Sequence, residues 1–330
     1  PLITTLMRAM SKRIIKSILR ILCTVVIVVL GIWWLIAQPT FQKNKYSSST
    51  PDTDRLKAHV RTISQTFYPR DWSHTDNLNK CADYIAMHFT EAGADVESQT
   101  FSVQGRKYSN IIGRFGAGRG SKIIIGAHYD AYEEMPGADD NASGVAALIE
   151  LAYLIGHHTP DKEIELVGYV LEEPPFFRTQ EMGSAIHAKG IANENISGVI
   201  VLEMVGYFDD ERGSQAYPSR LLKLFYPSRG NFIAVVGRWD QGKWVKKVKV
   251  GMKGATPLPV YSIRAPTVIP GIDFSDHLNY WPYGFNALMV TDTAFYRNRA
   301  YHSEDDVVDS LDYNKMSLVV VAVFEAIKDL

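Results

Sequence analysis

Two histidines and a group of acids stand where apolar runs end in this 330-residue chain. His128 and Asp130 close the run SKIIIGAH (121–128), and Asp139 and Asp140 open the segment after it. Glu172 and Glu173 close IELVGYVLEE (164–173), and Glu203 lies near the end of GVIVLEMVG (198–206). His302 follows ALMVTDT (287–293) after a loop. One strand-end acid is more often a solvated edge or a helix cap. Several crossovers that each bring His, Asp or Glu to one sheet edge point to a shared site, because open α/β sheets bind ligands beyond the carboxyl ends of their strands. Imidazoles with carboxylates suit zinc, manganese or cobalt and lack the thiolates of a structural zinc site. Two cations about 3.5–4 Å apart can share a water, lower its pKa and polarise a scissile carbonyl. Adjacent glutamates on an extended segment point to opposite sides, so one can ligate while the other faces substrate.

Apolar runs alternate with helical periodicity in the elements that must position these residues. The runs at 121–128, 164–173, 198–206, 231–237 and 287–293 read as strands. ASGVAALIELAYLIG (142–156) and KMSLVVVAVFEAIKDL (315–330) read as helices. Upstream, DRLKAHVRTIS reads as a helix capped by Thr53 or Asp54, and NLNKCADYIAMHFTEAG as one stopped by Gly93. Strand–helix alternation predicts an α/β fold, a three-layer αβα sandwich around a mostly parallel mixed sheet.

The motifs HYD (128–130), PGADDNASG (136–144), the glutamate pair, SDH (275–277) and YHSEDD (301–306) together resemble the zinc aminopeptidase family with co-catalytic metals. That family includes glutamate carboxypeptidase, and its fold is shared by glutaminyl cyclase. The resemblance covers about residues 55–330. It implies two zinc ions, with manganese or cobalt as substitutes, and peptide substrates. It makes His128 a ligand of one ion, Asp140 the bridging carboxylate, Glu173 a ligand of the first ion and His302 of the second. Glu203 takes the ligand position on the third strand, Glu172 is the general base, and Tyr301 is the phenol that steadies the oxyanion. Asp130 resembles the acid that orients the His128 imidazole. Asp139 reads as a helix cap or hydrogen-bond acceptor, and Asp276 with His277 as loop-orienting residues or as a satisfied buried pair. Asp306 and Asp309 read as caps. Glu133 and Glu134 read as loop acids, one of which could instead meet a substrate ammonium.

The chain departs from the family in three places, the least of them Val307, where a threonine is common. Glu203 stands where the family usually has Asp. EEPPFFRTQEMGS (172–184) replaces a shorter glycine-containing connection, and Phe176 and Phe177 are expected to wall the substrate pocket. Aminopeptidase action is the leading expectation. A single-zinc glutaminyl cyclase, a carboxypeptidase using Arg178, Arg297 or Arg299, and a receptor-like domain without metals are the alternatives. A carboxypeptidase requires a cation for the substrate carboxylate, and a receptor-like domain is disfavoured by the retained ligands.

Residues 1–45 hold seven of the 35 basic residues and none of the 36 acids, which leaves the remainder at a net of −8. An acidic body without a basic stripe argues against nucleic acid as partner. Residues 21–37, ILCTVVIVVLGIWWLIA, carry no charge and end near Trp33 and Trp34. They read as a transmembrane helix with a cytoplasmic basic N-terminus, so that the rest lies in the periplasm or outside the cell. A cleaved signal peptide and a buried core helix are the alternatives. Residues 1–38 are thus expected to be cytoplasmic segment and anchor, 39–52 a linker, and 53–330 the catalytic domain. Cys23 lies in the apolar run, so a Cys23–Cys81 disulfide is not expected; Cys81 reads as a core residue.

Overall fold

The computed structural model describes residues 2–41, 44–116, 120–158 and 162–330. The chain forms two compact units, Pro1–Pro39 and Thr40–Leu330. The first contains helix α1 (Leu2–Ala37). Within it, Lys12–Ala37 is, among the described residues, the one helix long and apolar enough to cross a membrane. Most of the apolar side chains of that span, Ile27 and Leu30 among them, are exposed.

The second unit is built on one eight-stranded sheet. Its strands are β1 (Asp95–Val103), β2 (Arg106–Phe115), β3 (Lys122–His128), β4 (Ile164–Tyr169), β5 (Ile196–Glu203), β6 (Ile233–Arg238), β7 (Val260–Ala265) and β8 (Ala287–Thr291), in the order β1-β2-β4-β3-β5-β8-β6-β7. β3 pairs in parallel with β4 and β5, β5 with β8, and β6 with β7. The pairs β1–β2, β2–β4 and β6–β8 are antiparallel.

Central β3 is apolar on both faces because both are covered. Ile123, Ile125 and Ala127 enter the larger core, which also receives α2 (Thr53–Arg61), α3 (Thr75–Glu91), α4 (Gly144–Gly156), α6 (Gly242–Met252) and α7 (Tyr313–Asp329). Ile124 enters a second core with Val167 and Val199 under α5 (Gly183–Gly190) and the 3₁₀ turn Asp276–Tyr283. The result is the three-layer α/β architecture expected. Cys81 is a fully buried core residue, and both cysteines are free.

Local details differ from expectation. Asp52, not Thr53 or Asp54, caps α2, accepting from the Asp54 and Arg55 amides. Part of the expected linker lies along the second unit: the Lys45 amide donates to the Gly254 carbonyl at 2.9 Å and the Ser47 amide to Ala255 at 2.8 Å. Lys43 of that linker lies outside the described residues. β4 ends at Tyr169, and Leu171 takes a left-handed φ of 64° just before the glutamate pair.

A buried polar network holds the sheet edge opposite His128. The fully buried Glu165 accepts from Lys122 Nζ and Arg114 Nε, both at 2.9 Å, and faces His187 Nε2 at 3.1 Å. His187 Nδ1 in turn meets the Tyr280 hydroxyl at 2.7 Å. Burial opposes the Glu165 carboxylate, but His187 and Lys122 outweigh it and hold its pKa at about 2. A depressed carboxylate pKa stabilises the fold above the ordinary value and stops doing so as pH falls through the folded value. Glu165→Ala, which strips these cations of their shared acceptor, is expected to lower unfolding free energy by about 3 kcal/mol in a denaturant titration at neutral pH. Because the variant lacks the depressed group, its stability should also decline less than that of the parent between pH 4.5 and about 2. Equal acid sensitivity of the two proteins would remove Glu165 from this role.

A candidate two-metal centre

The strand ends deliver His128, Glu203 and the glutamate pair to one dry space, and two loops add Asp140 and His302. All but His302 are buried, and the His302 side chain is 22% exposed. His128 Nε2 lies 3.4 Å from Asp140 Oδ1, 3.3 Å from Glu203 Oε2 and 3.9 Å from Glu172 Oε2. His302 Nε2 lies 3.1 Å from Asp140 Oδ2 and 3.3 Å from Glu173 Oε2. The two oxygens of Asp140 therefore face different imidazoles, and each imidazole has a second carboxylate beside it. The potential donor sets are His128, Asp140 and Glu203; Asp140, Glu173 and His302; and His128 with both glutamates. Glu173 is grouped with His302 in the second of these, whereas the sequence reading put those two residues on different ions.

Left-handed backbone turns aim these side chains. Met204, just after Glu203, has φ 49°, and His302 itself has φ 55°. Non-glycine residues hold such angles only when the surroundings fix them. The Met204 amide is held by Asn141 Oδ1 at 3.0 Å, and two carboxylates fix the backbone of the acidic pairs. Asp130 accepts from the Glu172 amide at 3.2 Å and the Glu173 amide at 3.1 Å. Asp306 accepts from the Asp139 amide at 2.9 Å and the Asp140 amide at 3.0 Å. Each acid thus pins the backbone of one acidic pair. Asp130 also orients His128, whose Nδ1 sits 3.2 Å from the Asp130 carbonyl and 3.6 Å from its carboxylate.

Asn141 ties the start of α4 to the end of β5. Its Oδ1 accepts from the Gly144 and Met204 amides, and its Nδ2 donates to the Leu202 carbonyl. The peptide between Asp140 and Asn141 is cis. Arg70, fully buried, donates to the carbonyls of Tyr129, Pro136 and Gly137 and so binds the β3–α4 loop. At Gly137, φ is 55° and a Cβ would meet the Asp140 carbonyl at 2.2 Å, so glycine is required there.

The donor chemistry fits cations. His128 Nε2, His302 Nε2 and Glu173 Oε1 are buried without a hydrogen-bond partner. Burial and Asp140 push the Glu173 carboxyl up to about 7. Burial drives Glu172 well above the ordinary range. Asp140 behaves differently: burial raises it, but the two imidazoles outweigh burial and hold it below the usual carboxylate range. Burial opposes the His302 imidazolium, yet Asp140 and Glu173 raise its pKa to about 10. So many carboxylates in one dry space demand positive charge between them.

Asp139 is an acceptor, taking the Gly206 amide at 3.0 Å and Asn298 Nδ2 at 2.9 Å. Asp276 is fully buried, and burial pushes it up to about 7. It is not paired with His277, whose Nε2 meets the Ile272 carbonyl at 2.8 Å. The expected aromatic wall is elsewhere. Phe176 is buried in the main core, edge-on to Trp72, and Phe177 packs on Phe274 and Arg178. A short run of aromatics beside a site looks the same in sequence whether it faces core or cavity. Tyr217, Phe232, Tyr261, Ile263, Phe274 and Phe295, with Glu203 and Tyr301, line a mainly apolar cavity of about 100 Å³ that neither Phe176 nor Phe177 borders. Among the described residues no Lys or Arg lines it.

Sequence reading also missed Tyr132. Its ring stacks on His302 at 4.0 Å between centroids, and Tyr301 stacks nearby at 3.8 Å. The signal for Tyr132 was its place two residues beyond Asp130. Arg70, far upstream, carried no signal.

This fold and donor set define a metallohydrolase of the α/β class. A protein-family model described as peptidase family M28 matches residues 110–327, so the chain belongs to that family and is a metallopeptidase. It is 48% identical over 283 residues to the uncharacterized protein YfbL of Escherichia coli (strain K12), covering 82% of this chain and 87% of that one. Aminopeptidase YwaD of Bacillus subtilis (strain 168) is 22% identical over 220 residues, covering 62% of this chain and 41% of YwaD, well under two thirds of its length. Among solved structures, a leucine aminopeptidase precursor from Bacteroides thetaiotaomicron superposes with TM-score 0.65 at 21% identity, covering 87% of this chain and 100% of that one. A glutaminyl cyclase from the same organism gives TM-score 0.65 at 21% identity, covering 86% and 100%.

Metal stripping by a chelator should lower the melting temperature of the protein, and zinc should restore it, since a ligand of the folded state alone stabilises it by mass action. In the double variant His128→Ala/His302→Ala, which removes an imidazole from each donor set, the melting temperature should respond to neither. An unshifted melting temperature in the parent, with metal loss verified by elemental analysis, would count against this centre.

Proposed function

We propose that the chain is a two-zinc aminopeptidase that releases apolar N-terminal residues from peptides. The observation that carries this reading is Asp140, whose two oxygens lie 3.4 and 3.1 Å from two different imidazoles. Asp140 with His128 and Glu203 would hold one ion, and Asp140 with Glu173 and His302 would hold the other. Bound there, zinc supplies Lewis acidity to the scissile carbonyl and acidifies the attacking water. Glu172, 3.9 Å from His128, takes the proton of that water and passes it to the leaving amine. Tyr301, which borders the cavity, offers its phenol to the developing oxyanion.

The lack of a lining cation supports an aminopeptidase over a carboxypeptidase. Arg178 pairs with Asp273 at 2.7 Å, and Arg297 is buried over Phe232 and bonded to Gln215. Arg299 is exposed. The apolar walls favour apolar side chains at the substrate's first residue. Two metals per chain support hydrolysis, whereas one would support the cyclase reading. For α1 we adopt the anchor reading, with residues 53–330 as the catalytic domain outside the cytoplasm.

Glu172→Gln should keep two zinc ions by elemental analysis and lose about a thousandfold in kcat on an aminoacyl substrate. Loss of metal in that variant would make Glu172 a ligand instead of a base. Ala234→Phe, which fills the cavity, should lower kcat/KM for N-terminal Leu or Phe about tenfold or more while sparing N-terminal Ala. A uniform loss across the panel would place the specificity pocket elsewhere, and hydrolysis of N-blocked peptides at equal rate would sink the aminopeptidase reading.

A further inference from the structure

Residues 241–255, QGKWVKKVKVGMKGA, carry five lysines and no acid, in a body whose net charge is negative. The helix α6 they form is two-faced. Trp244, Val245, Val248 and Met252 are buried in the main core. Lys243, Lys246 and Lys247 are exposed, Lys253 is half-exposed just past the helix, and Lys249 is buried. Steps of three and four along the helix keep Lys243, Lys246 and Lys247 on one side, and Lys247 Nζ donates to the Leu330 carbonyl at 2.8 Å. The stripe follows the length of α6, about 15 Å at the rise of an α-helix.

The C-terminal end of the stripe is fastened to the chain segment that follows α1. Lys253 Nζ donates to the Thr40 carbonyl at 2.6 Å, and the Lys45 and Ser47 amides bond to Gly254 and Ala255. Thr40 lies three positions beyond Ala37, a span of at most about 10 Å of chain. A polar cleft of about 370 Å³ opens at the same place, lined by Lys45, Ser47, Lys253 and Lys328 together with Glu325 and Asp329. Glu325 is already engaged, accepting from Ser47 Oγ and paired with Lys328, both at 2.6 Å.

We propose that the lysine face of α6 docks on anionic phospholipid headgroups of the bilayer that α1 enters, with the cleft receiving a headgroup phosphate. The proposal rests on the anchor reading of α1. An anionic surface attracts lysines only within about a Debye length, roughly 10 Å at 0.1 M salt. On the anchor reading, attachment three residues beyond the span tethers the end of this stripe near that range.

The test uses the full chain reconstituted in nanodiscs, one set of phosphatidylcholine alone and one with about 40% phosphatidylglycerol, to give a strong surface potential. Brief amine acetylation is read lysine by lysine by mass spectrometry. Lys243 and Lys246 should react at least about threefold more slowly in the anionic discs, with the difference erased near 0.5 M salt, as screening requires. Lys107, exposed on the hairpin at the far edge of the sheet, is the internal control and should not change. In the double variant Lys243→Glu/Lys246→Glu the lipid dependence at Lys247 should vanish, while hydrolysis of a small aminoacyl substrate stays at the parental rate. Equal reactivity in the two lipid compositions overturns the docking surface. Alkaline carbonate extraction separates the two readings: release of the chain overturns the anchor, and with it the docking surface. Retention with equal lysine reactivity overturns the docking surface alone.

Discussion

The centre depends on one carboxylate that is shared. Asp140 presents one oxygen to His128 and the other to His302, residues separated by most of the sheet in sequence. Such sharing only works if the carboxylate plane cannot turn, because a rotation that improves one contact spoils the other. The structure meets this by holding the backbone as well as the side chain. Asp306 takes both amides of the Asp139–Asp140 pair, Asn141 secures the next residue to β5, and Arg70 grips the loop before it. Asp130 does for Glu172 and Glu173 what Asp306 does for Asp139 and Asp140. Two acids outside the cluster thus spend their charge on amide donors and leave the inner carboxylates to face one another. Supporting contacts of this kind set ligand orientation as much as the ligands do.

That arrangement is electrostatically costly, and the pKa pattern shows where the cost falls. Burial pushes Glu172, Glu173 and Asp276 upward, while Asp140 alone is held low because two imidazoles flank it. Asp306 is itself lifted to about 7 by burial and by Asp139, against the two amides it accepts. The cluster cannot carry all its negative charge in a dry space unless cations share it. The hydrophobic framework makes this tolerable: β3 and β5 are buried on both faces, so the strand ends are rigid where the charge is concentrated.

How much of this was legible in sequence follows from which signals are local. Strand ends carrying His or acid after an apolar run are local, and His128, Asp140, Glu172, Glu173, Glu203 and His302 do converge. Central strands read well because both faces are apolar, as in KIIIGAH. The hairpin strand β1, DVESQTFSV, went unread because it is an edge strand with most side chains partly exposed, so no apolar run marks it. α6 went unread because VKKVKV (245–250) mixes strand-favouring valines with helix-favouring lysines, and packing against β6, β7 and α7 decides it. The cavity wall is the least local feature. Its residues come from positions 217 to 301, and no window of sequence contains them, whereas the aromatic pair at 176–177 drew the eye and proved to be half core.

Glu203 shows how a departure from a family pattern can be absorbed. The extra methylene moves the carboxylate farther from β5, and a longer side chain has one more torsion to fix. Ser275 supplies the constraint: its hydroxyl donates to Glu203 Oε2 at 2.7 Å, the same oxygen that lies 3.3 Å from His128 Nε2. Ser275 is fully buried and stands directly before the 3₁₀ turn that begins at Asp276. The turn's position is thus coupled to the glutamate's reach, because a shorter acid at 203 would draw back from both the serine and the imidazole unless β5 or the turn moved. The longer acid and the SDH segment therefore belong to one solution, in which the turn holds in place what the strand alone would leave free to swing.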